Sequence, residues 1–147
     1  MSWIVREITT EQVQPIRLAV LRADTSTKET RFAEDDWPGA VHLGAFDGEH
    51  LIATSTWIPR EHASKPGTPA VQLRGMATLQ SHQSRGVGAA LVAAGIGRAR
   101  ADGARLVWAN ARDAAMAFYE REGFRVEGDG FIDATTQLPH HVVVIDT

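Results

Sequence analysis

Residues 80–89 read QSHQSRGVGA, with Gly86 and Gly88 one residue apart between a polar run and the alanine-rich stretch that follows. Glycine has no Cβ and tolerates backbone conformations that other residues avoid, so a Gly-x-Gly at the mouth of a helix lets a ligand come close to the main chain. The first amides of a helix lack intrahelical partners and lie at the positive end of its dipole, which suits phosphate oxygens. Arg85 offers a charged donor beside them. On these residues alone two readings stand: a cradle for a pyrophosphate, or a flexible helix entry with no ligand. A Walker A loop does not fit, because no lysine follows the glycines, and a dinucleotide fingerprint needs a third glycine where Leu91 stands.

Working outward, Gly86 to Asp102 reads as a helix, with Arg98 and Arg100 in its last turn and Gly103 just past its end. Before it, VQLRGMATL (71–79) alternates apolar Val71, Leu73, Ala77 and Leu79 with Gln72, Arg74, Met76 and Thr78 and reads as the fourth strand; Gly75 marks a bulge or a close backbone approach. After it, ARLVWAN (104–110) reads as a buried strand. Strand, helix and strand make a right-handed crossover with parallel strands, and ligands are expected outside their carboxyl ends.

Toward the N-terminus, WIVREIT (3–9) reads as a strand, and Val13, Ile16, Val20 and Leu21 at helical spacing predict a helix from Thr9 or Thr10 to about Ala23. Residues 24–40 read as a polar loop with one short helix. VHLGAF (41–46) and LIATSTWI (51–58) flank Asp47-Gly48, a hairpin signal. Toward the C-terminus, Asp113 is expected to cap a helix, AAMAFYERE, ended by Gly123, followed by strands at 124–128 and 140–146. These elements predict an α/β fold in one domain spanning residues 1–147: a mixed central sheet of six to seven strands flanked by about four helices.

The 147 residues include no cysteine, so thiolate chemistry and disulfides are absent and a reducing, cytoplasmic setting is expected. No segment is apolar enough to span a bilayer, and the net charge of −3 with no basic run gives no footprint for nucleic acid. His140 and His141 point to opposite faces of a strand and cannot clasp one metal; no metal is expected.

QSRGVG, Gln83 to Gly88, resembles the Q/R-x-x-G-x-G/A signature of the GNAT superfamily of acyl-CoA-dependent N-acyltransferases, and AMAFYEREGF, Ala115 to Phe124, is similar to that family's pattern of alanine, aromatic, tyrosine and Gly-Phe. LRGMAT, NAR and Pro-His also resemble a prokaryotic subgroup of it. The resemblance implies that acetyl-CoA is the cosubstrate and that its pantetheine arm lies between the fourth and fifth strands. It assigns Met76, Ala77 and Thr78 to that arm, with the Met76 amide polarising the thioester carbonyl. It assigns Gln83, Ser84, Arg85, Gly86, Val87, Gly88 and Ala89 to the pyrophosphate, and Phe118 and Tyr119 to the cofactor crevice. Tyr119 is implied as the proton donor to the departing thiolate. A phenol of pKa about 10 can protonate a thiolate of pKa about 8.5 if brought close. Members of the family are commonly homodimers.

The chain also departs from the pattern. Arg112 stands where many members have a pantetheine-binding asparagine, and Asn110, two residues earlier, either substitutes for it or merely ends the strand. Gln72 stands where some protein acetyltransferases place a glutamate base. An amine of pKa about 10.4 pays roughly 4.6 kcal/mol to be neutral at pH 7, so a base is needed; His140, Glu34 and Asp35 are the candidates. Glu34, Asp35 and Trp37, with Arg74, are expected at the acceptor site, where carboxylates beside an indole would draw a cationic small-molecule or peptide amine. The expected activity is acetyl transfer from acetyl-CoA to a primary amine by direct attack; the alternative is an acyl-CoA-binding module that has lost catalysis.

Overall fold

The first predicted strand forms as Ile4–Ile8 (β1) in the computed structural model, which describes residues 3–147. Helix α1, Thr10–Ile16, starts at a capping box in which the Thr9 side chain accepts the Gln12 amide and Gln12 returns the contact. It continues as a wider π-helical turn over Arg17–Leu21, so the helical run stops two residues before Ala23. The short helix expected in the following loop is a 3-10 turn at Ala33–Asp36. Strands β2 (Val41–Asp47) and β3 (His50–Pro59) form the hairpin about Asp47-Gly48, with Gly48 at φ +61°.

Strand β4 (Ala70–Thr78), helix α2 (Val87–Ala101) and strand β5 (Leu106–Arg112) form the crossover unit. Helix α3 covers Met116–Arg121, and strands β6 (Arg125–Ile132) and β7 (Pro139–Asp146) complete one seven-stranded sheet in the order β1-β2-β3-β4-β5-β7-β6. Only β4 and β5 are parallel. The mixed α/β sheet is as expected; the difference lies before α3, where Asp113–Ala115 is a 3-10 turn. Asp113 does not cap it, because its carboxylate is taken by His141 Nδ1 at 2.6 Å.

The main core lies between α2, α3 and the sheet, around Leu43, Trp57, Leu73, Leu91, Val107 and Val143. Leu91, at the site of the missing third glycine, is fully buried there. Helix α2 can approach the sheet because Gly95 faces the Trp57 indole: a Cβ at Gly95 would lie 1.8 Å from Trp57 Cζ2. Gly97, two residues on, faces open space. The two glycines therefore make a matched pair. Alanine gains about 1 kcal/mol over glycine in a helix interior, whereas overpacking a core costs about 1–3 kcal/mol or more. Gly97→Ala should raise the melting temperature and Gly95→Ala should lower it by several degrees; a rise in both would show that α2 is not held against Trp57. Among the described residues no helix is long and apolar enough to cross a membrane.

Candidate active site

Parallel pairing of β4 with β5 is confined to Ala70–Gln72 against Leu106–Trp108. Beyond Gln72 the strands part. On the other side of β4, Thr54 pairs with Ala77 and Thr56 with Arg74, so Gly75 and Met76 together oppose Ser55 in a β-bulge. A bulge bends its strand and leaves backbone groups without ladder partners. Gly75 has φ +62°, and a Cβ there would come within 3.1 Å of both Arg17 Nε and the Phe32 ring. The bulge and the close approach that Gly75 suggested are thus the same feature.

Two cavities open from this split. One, of about 900 Å³, runs from Met76, Ala77 and Thr78 to the start of α2 and to Phe118 on α3. The other, of about 380 Å³, lies under residues 21–33 and is lined by Gln72, Arg74, Asn110 and His140. Met76, Arg112, Ala115 and Tyr119 border both, so the cavities meet at these residues.

The loop into α2 is held from behind. Gln83 Nε2 donates to the Thr78 carbonyl at 3.0 Å, Trp3 Nε1 donates to the Arg85 carbonyl at 3.2 Å, and His82 bridges Ser81 Oγ and Asp47 Oδ2 at 2.7 and 2.9 Å. Ser84 at φ +63° and Gly86 at φ +83° take left-handed conformations, which turn nearby amides toward a common concavity. No side chain caps α2, and the Ala90 amide is the one that reaches the Gly86 carbonyl, at 3.1 Å. The amides of Val87, Gly88 and Ala89 are left for an anion. The two glycines serve different ends. Gly86 supplies the positive φ with nothing within 4 Å of a would-be Cβ, whereas a Cβ on Gly88 would be 2.9 Å from the Phe118 ring.

Tyr119 is 6 % exposed, its ring set edge-on to Phe118 and Phe124 at centroid distances of 5.2 and 5.3 Å. Burial alone pushes the phenol above its ordinary pKa; no hydrogen bond contributes. A protonated hydroxyl therefore stands where the two cavities join. His140 is buried at the start of β7, stacked on Phe131, with Nδ1 2.8 Å from the Leu138 carbonyl. A carbonyl can only accept, so Nδ1 carries the proton and Nε2 is the basic nitrogen. Asn110 is exposed on β5 opposite Val142. Arg112 donates to the Leu21 carbonyl and, at 3.3 Å, to Asp24, tying the end of β5 to the segment after α1.

The acetyltransferase (GNAT) family matches residues 6–124 of this chain. The chain belongs to that family. It is 29% identical over 143 residues to the uncharacterized N-acetyltransferase YitI of Bacillus subtilis (strain 168), covering 97% of this chain and 95% of that one. Its fold resembles FeeM, an N-acyl amino acid synthase from uncultured soil microbes, at a TM-score of 0.82 and 16% identity, over 99% of this chain and 91% of the other. It also resembles an aminoglycoside 6'-N-acetyltransferase complexed with coenzyme A, at a TM-score of 0.76 and 14% identity, over 97% and 96% of the two chains. The protein is accordingly an acyltransferase of the GNAT family, whose members use acetyl-CoA.

In this GNAT enzyme the acidic loop does not reach the cavities as the sequence suggested. Asp35 is locked to buried Arg17 by two 2.8 Å contacts and accepts the Phe32 amide at 2.9 Å. Glu34 takes Arg74 on both oxygens, at 3.0 and 2.9 Å, and Arg60 at 2.9 Å. Burial works against both charges, but the arginines hold both carboxyls below their ordinary pKa. Trp37 is exposed under Arg60, 4.7 Å from guanidinium carbon to ring centroid. None of these three lines either cavity. The reason is that an acidic run beside several arginines folds inward to neutralise them, and one chain read linearly does not reveal those partners. Arg74, stacked on Phe32 at 4.1 Å, does line the smaller cavity. So do Arg22 and Asp133, which no motif in the sequence singled out. Among the described residues no cluster of His, Asp and Glu could hold a metal.

Proposed function

We propose that this enzyme moves the acetyl group of acetyl-CoA to a primary amine by direct attack, with Tyr119 as proton donor to sulfur and His140 Nε2 as proton acceptor from the amine. The observation carrying this reading is the unpaired, protonated phenol at the junction of two cavities. The larger cavity suits the cofactor: a split between strands that can take an amide-bearing arm, ending at uncapped helix amides. When bound there, acetyl-CoA supplies an activated thioester carbonyl. Met76, in the bulge where the cavities meet, would offer its amide to that carbonyl's oxygen and stabilise the charge that develops on it. Ala77, Thr78, Gln83, Ser84, Val87, Ala89 and Phe118 line the larger cavity, Arg85 lies in the same loop, Arg112 borders both cavities, and Asn110 lines the smaller one. In balance, the C–N bond forms as the C–S bond breaks. The ammonium first gives one proton to His140, and the neutral amine attacks; Tyr119 passes a proton to the thiolate, and the nitrogen's second proton returns to Tyr119 as the amide forms. Burial raises the proton affinity of the thiolate as well as that of the phenol, so the transfer is not made uphill by the dry site.

The test is thiol release from acetyl-CoA across a panel of amines, with cofactor binding measured calorimetrically. Left-handed backbone costs a non-glycine residue about 1–2 kcal/mol, and 1.4 kcal/mol is tenfold in affinity. With no neighbour to hold it, the free loop of Gly86→Ala relaxes out of that conformation and must re-form it on binding, which should weaken CoA binding by about tenfold and leave the core packing intact. Gly88→Ala is the less clean probe, since it presses on Phe118. Unchanged affinity in Gly86→Ala would remove the loop from cofactor binding.

A further inference from the structure

Two arginines of the described chain are buried, Arg17 and Arg22, and they are treated very differently. Arg17 is matched by Asp35. Arg22, 7 % exposed, has no carboxylate within ion-pair distance among the described residues: Nε donates to the Glu29 carbonyl at 2.7 Å and Nη1 to the Leu21 carbonyl at 3.3 Å. Its Nη2 has no hydrogen-bond partner among the described residues, and Arg22 lines the smaller cavity. A buried cation held only by carbonyl dipoles is costly and calls for a counter-charge.

The surroundings do not provide it. Arg31, Arg74 and Arg112 border the same cavity, against the carboxylates of Glu29 and Asp133. Both carboxylates are engaged in their own turns: Glu29 Oε1 accepts the amides of Thr30 and Arg31 at 3.0 and 2.9 Å, and Asp133 Oδ2 accepts the amides of Thr135 and Thr136 at 3.1 and 2.8 Å. Burial, then the nearby Arg112, Arg17 and Arg74, lower the pKa of Arg22, with Asp133 opposing. Arg31, Arg74 and Arg112 are paired with Glu11, Glu34 and Asp24, so among the described residues Arg22 is the cavity arginine left without a carboxylate of its own, and the chamber also holds Tyr119, Met76 and His140.

We infer that the acceptor is a primary amine that itself carries an oxyanion, a carboxylate or a phosphate, and that Arg22 binds this group while the amine faces His140 and Tyr119. The inference rests on the acyl-transfer reading above and narrows it. Arg22 is a specificity-determining residue: its free guanidinium edge accepts a charged oxygen, which both compensates the buried cation and fixes the distance from anion to amine. The volume of about 380 Å³ suits a small molecule such as a free amino acid or a phosphorylated amine.

The experiment compares, in wild-type enzyme saturated with acetyl-CoA, thiol release with free L-amino acids against their primary amides, phosphoethanolamine against ethanolamine, and spermidine as the cationic arm. At least one oxyanion-bearing amine should exceed its uncharged counterpart in kcat/KM by about 100-fold. Which pair shows the gap distinguishes carboxylate from phosphate. Arg22→Gln should bring that ratio close to one, with Arg22→Lys intermediate. In parallel, N-acetylated amino acids and their amides, and N-acetylphosphoethanolamine, are titrated calorimetrically into CoA-loaded protein; the anionic forms alone should bind, and Arg22→Gln should abolish it. Should Arg22→Gln fail to fold, the wild-type ratio decides. Transfer to amides or spermidine at equal or greater rates overturns this inference and leaves acyl transfer standing. Oxyanion-dependent binding without transfer to any amine overturns the acyl-transfer reading and leaves the Arg22 site. Neither transfer nor such binding overturns both.

Discussion

Tyr119→Phe is expected to lower kcat by about 10²- to 10⁴-fold, the usual worth of a positioned proton donor, while leaving KM for acetyl-CoA and the melting temperature close to wild type. The separation follows from the structure. The ring is packed edge-on between Phe118 and Phe124, and phenylalanine keeps that packing. The hydroxyl contributes no protein hydrogen bond, so nothing in the fold depends on it. What is lost is a proton held in a dry site beside the leaving sulfur. The measurement is steady-state kinetics with a thermal melt on the same preparation. A fall in melting temperature alongside the fall in kcat would instead make the tyrosine a packing residue, and an unchanged kcat would require a different proton donor.

Asp35→Asn is expected to cost about 3–5 kcal/mol of stability, or roughly 6–20 °C in melting temperature. The side chains of Arg17 and Asp35 are 1% and 2% exposed, so the variant strands a guanidinium with its charge unmatched. The pair also sets the site's geometry, because Arg17 Nη2 reaches Thr56 Oγ1 at 2.8 Å and the guanidinium stacks 3.8 Å from the Phe32 ring centroid beneath the bulge at Gly75. Thr56 in turn contacts His42 Nδ1 at 2.7 Å, and His42 Nε2 lies 3.2 Å from the Asp35 carbonyl, which closes the network on itself. The pH dependence has a definite sign. Burial resists the Asp35 charge, but Arg17 and the Phe32 amide hold its folded pKa below the ordinary aspartate range. The contribution is therefore present above about pH 4, the unfolded value, and is lost as pH falls through the lower folded value. Denaturant melts from pH 7 to pH 2 should show this loss in wild type and its absence in Asp35→Asn. A cost below about 1 kcal/mol would mean that Arg17 finds another partner.

The parts legible in the sequence were those encoded locally. The alternation of Val71 to Leu79, the Asp47-Gly48 turn and the glycines before α2 each specify a backbone conformation through nearest neighbours, and each forms where expected. Tyr119 and the Gly-x-Gly loop could be paired because both match the pattern of one family, and that resemblance implies a shared crevice. The acceptor side was not legible. Its chemistry is decided by which carboxylate meets which arginine across 18 residues for Asp35 with Arg17 and 40 for Glu34 with Arg74. Read in one dimension, Glu34, Asp35 and Asp36 look like a lure for cations. In three dimensions Glu34 and Asp35 are neutralised by arginines, and Arg22 is the chamber's arginine without an ion-pair partner among the described residues. Asp113 likewise looked like a helix cap until β7 brought His141 against it.

On the proposed reading, the split between β4 and β5 receives the cofactor with its diphosphate on the uncapped amides of α2. A crystal structure of the protein grown with acetyl-CoA tests this most directly. The expected result is phosphate oxygens within hydrogen-bond distance of the Val87, Gly88 and Ala89 amides and the thioester sulfur beside Tyr119 Oη. Cofactor bound elsewhere, or a cleft closed by pairing of β4 with β5 beyond Gln72, would contradict it.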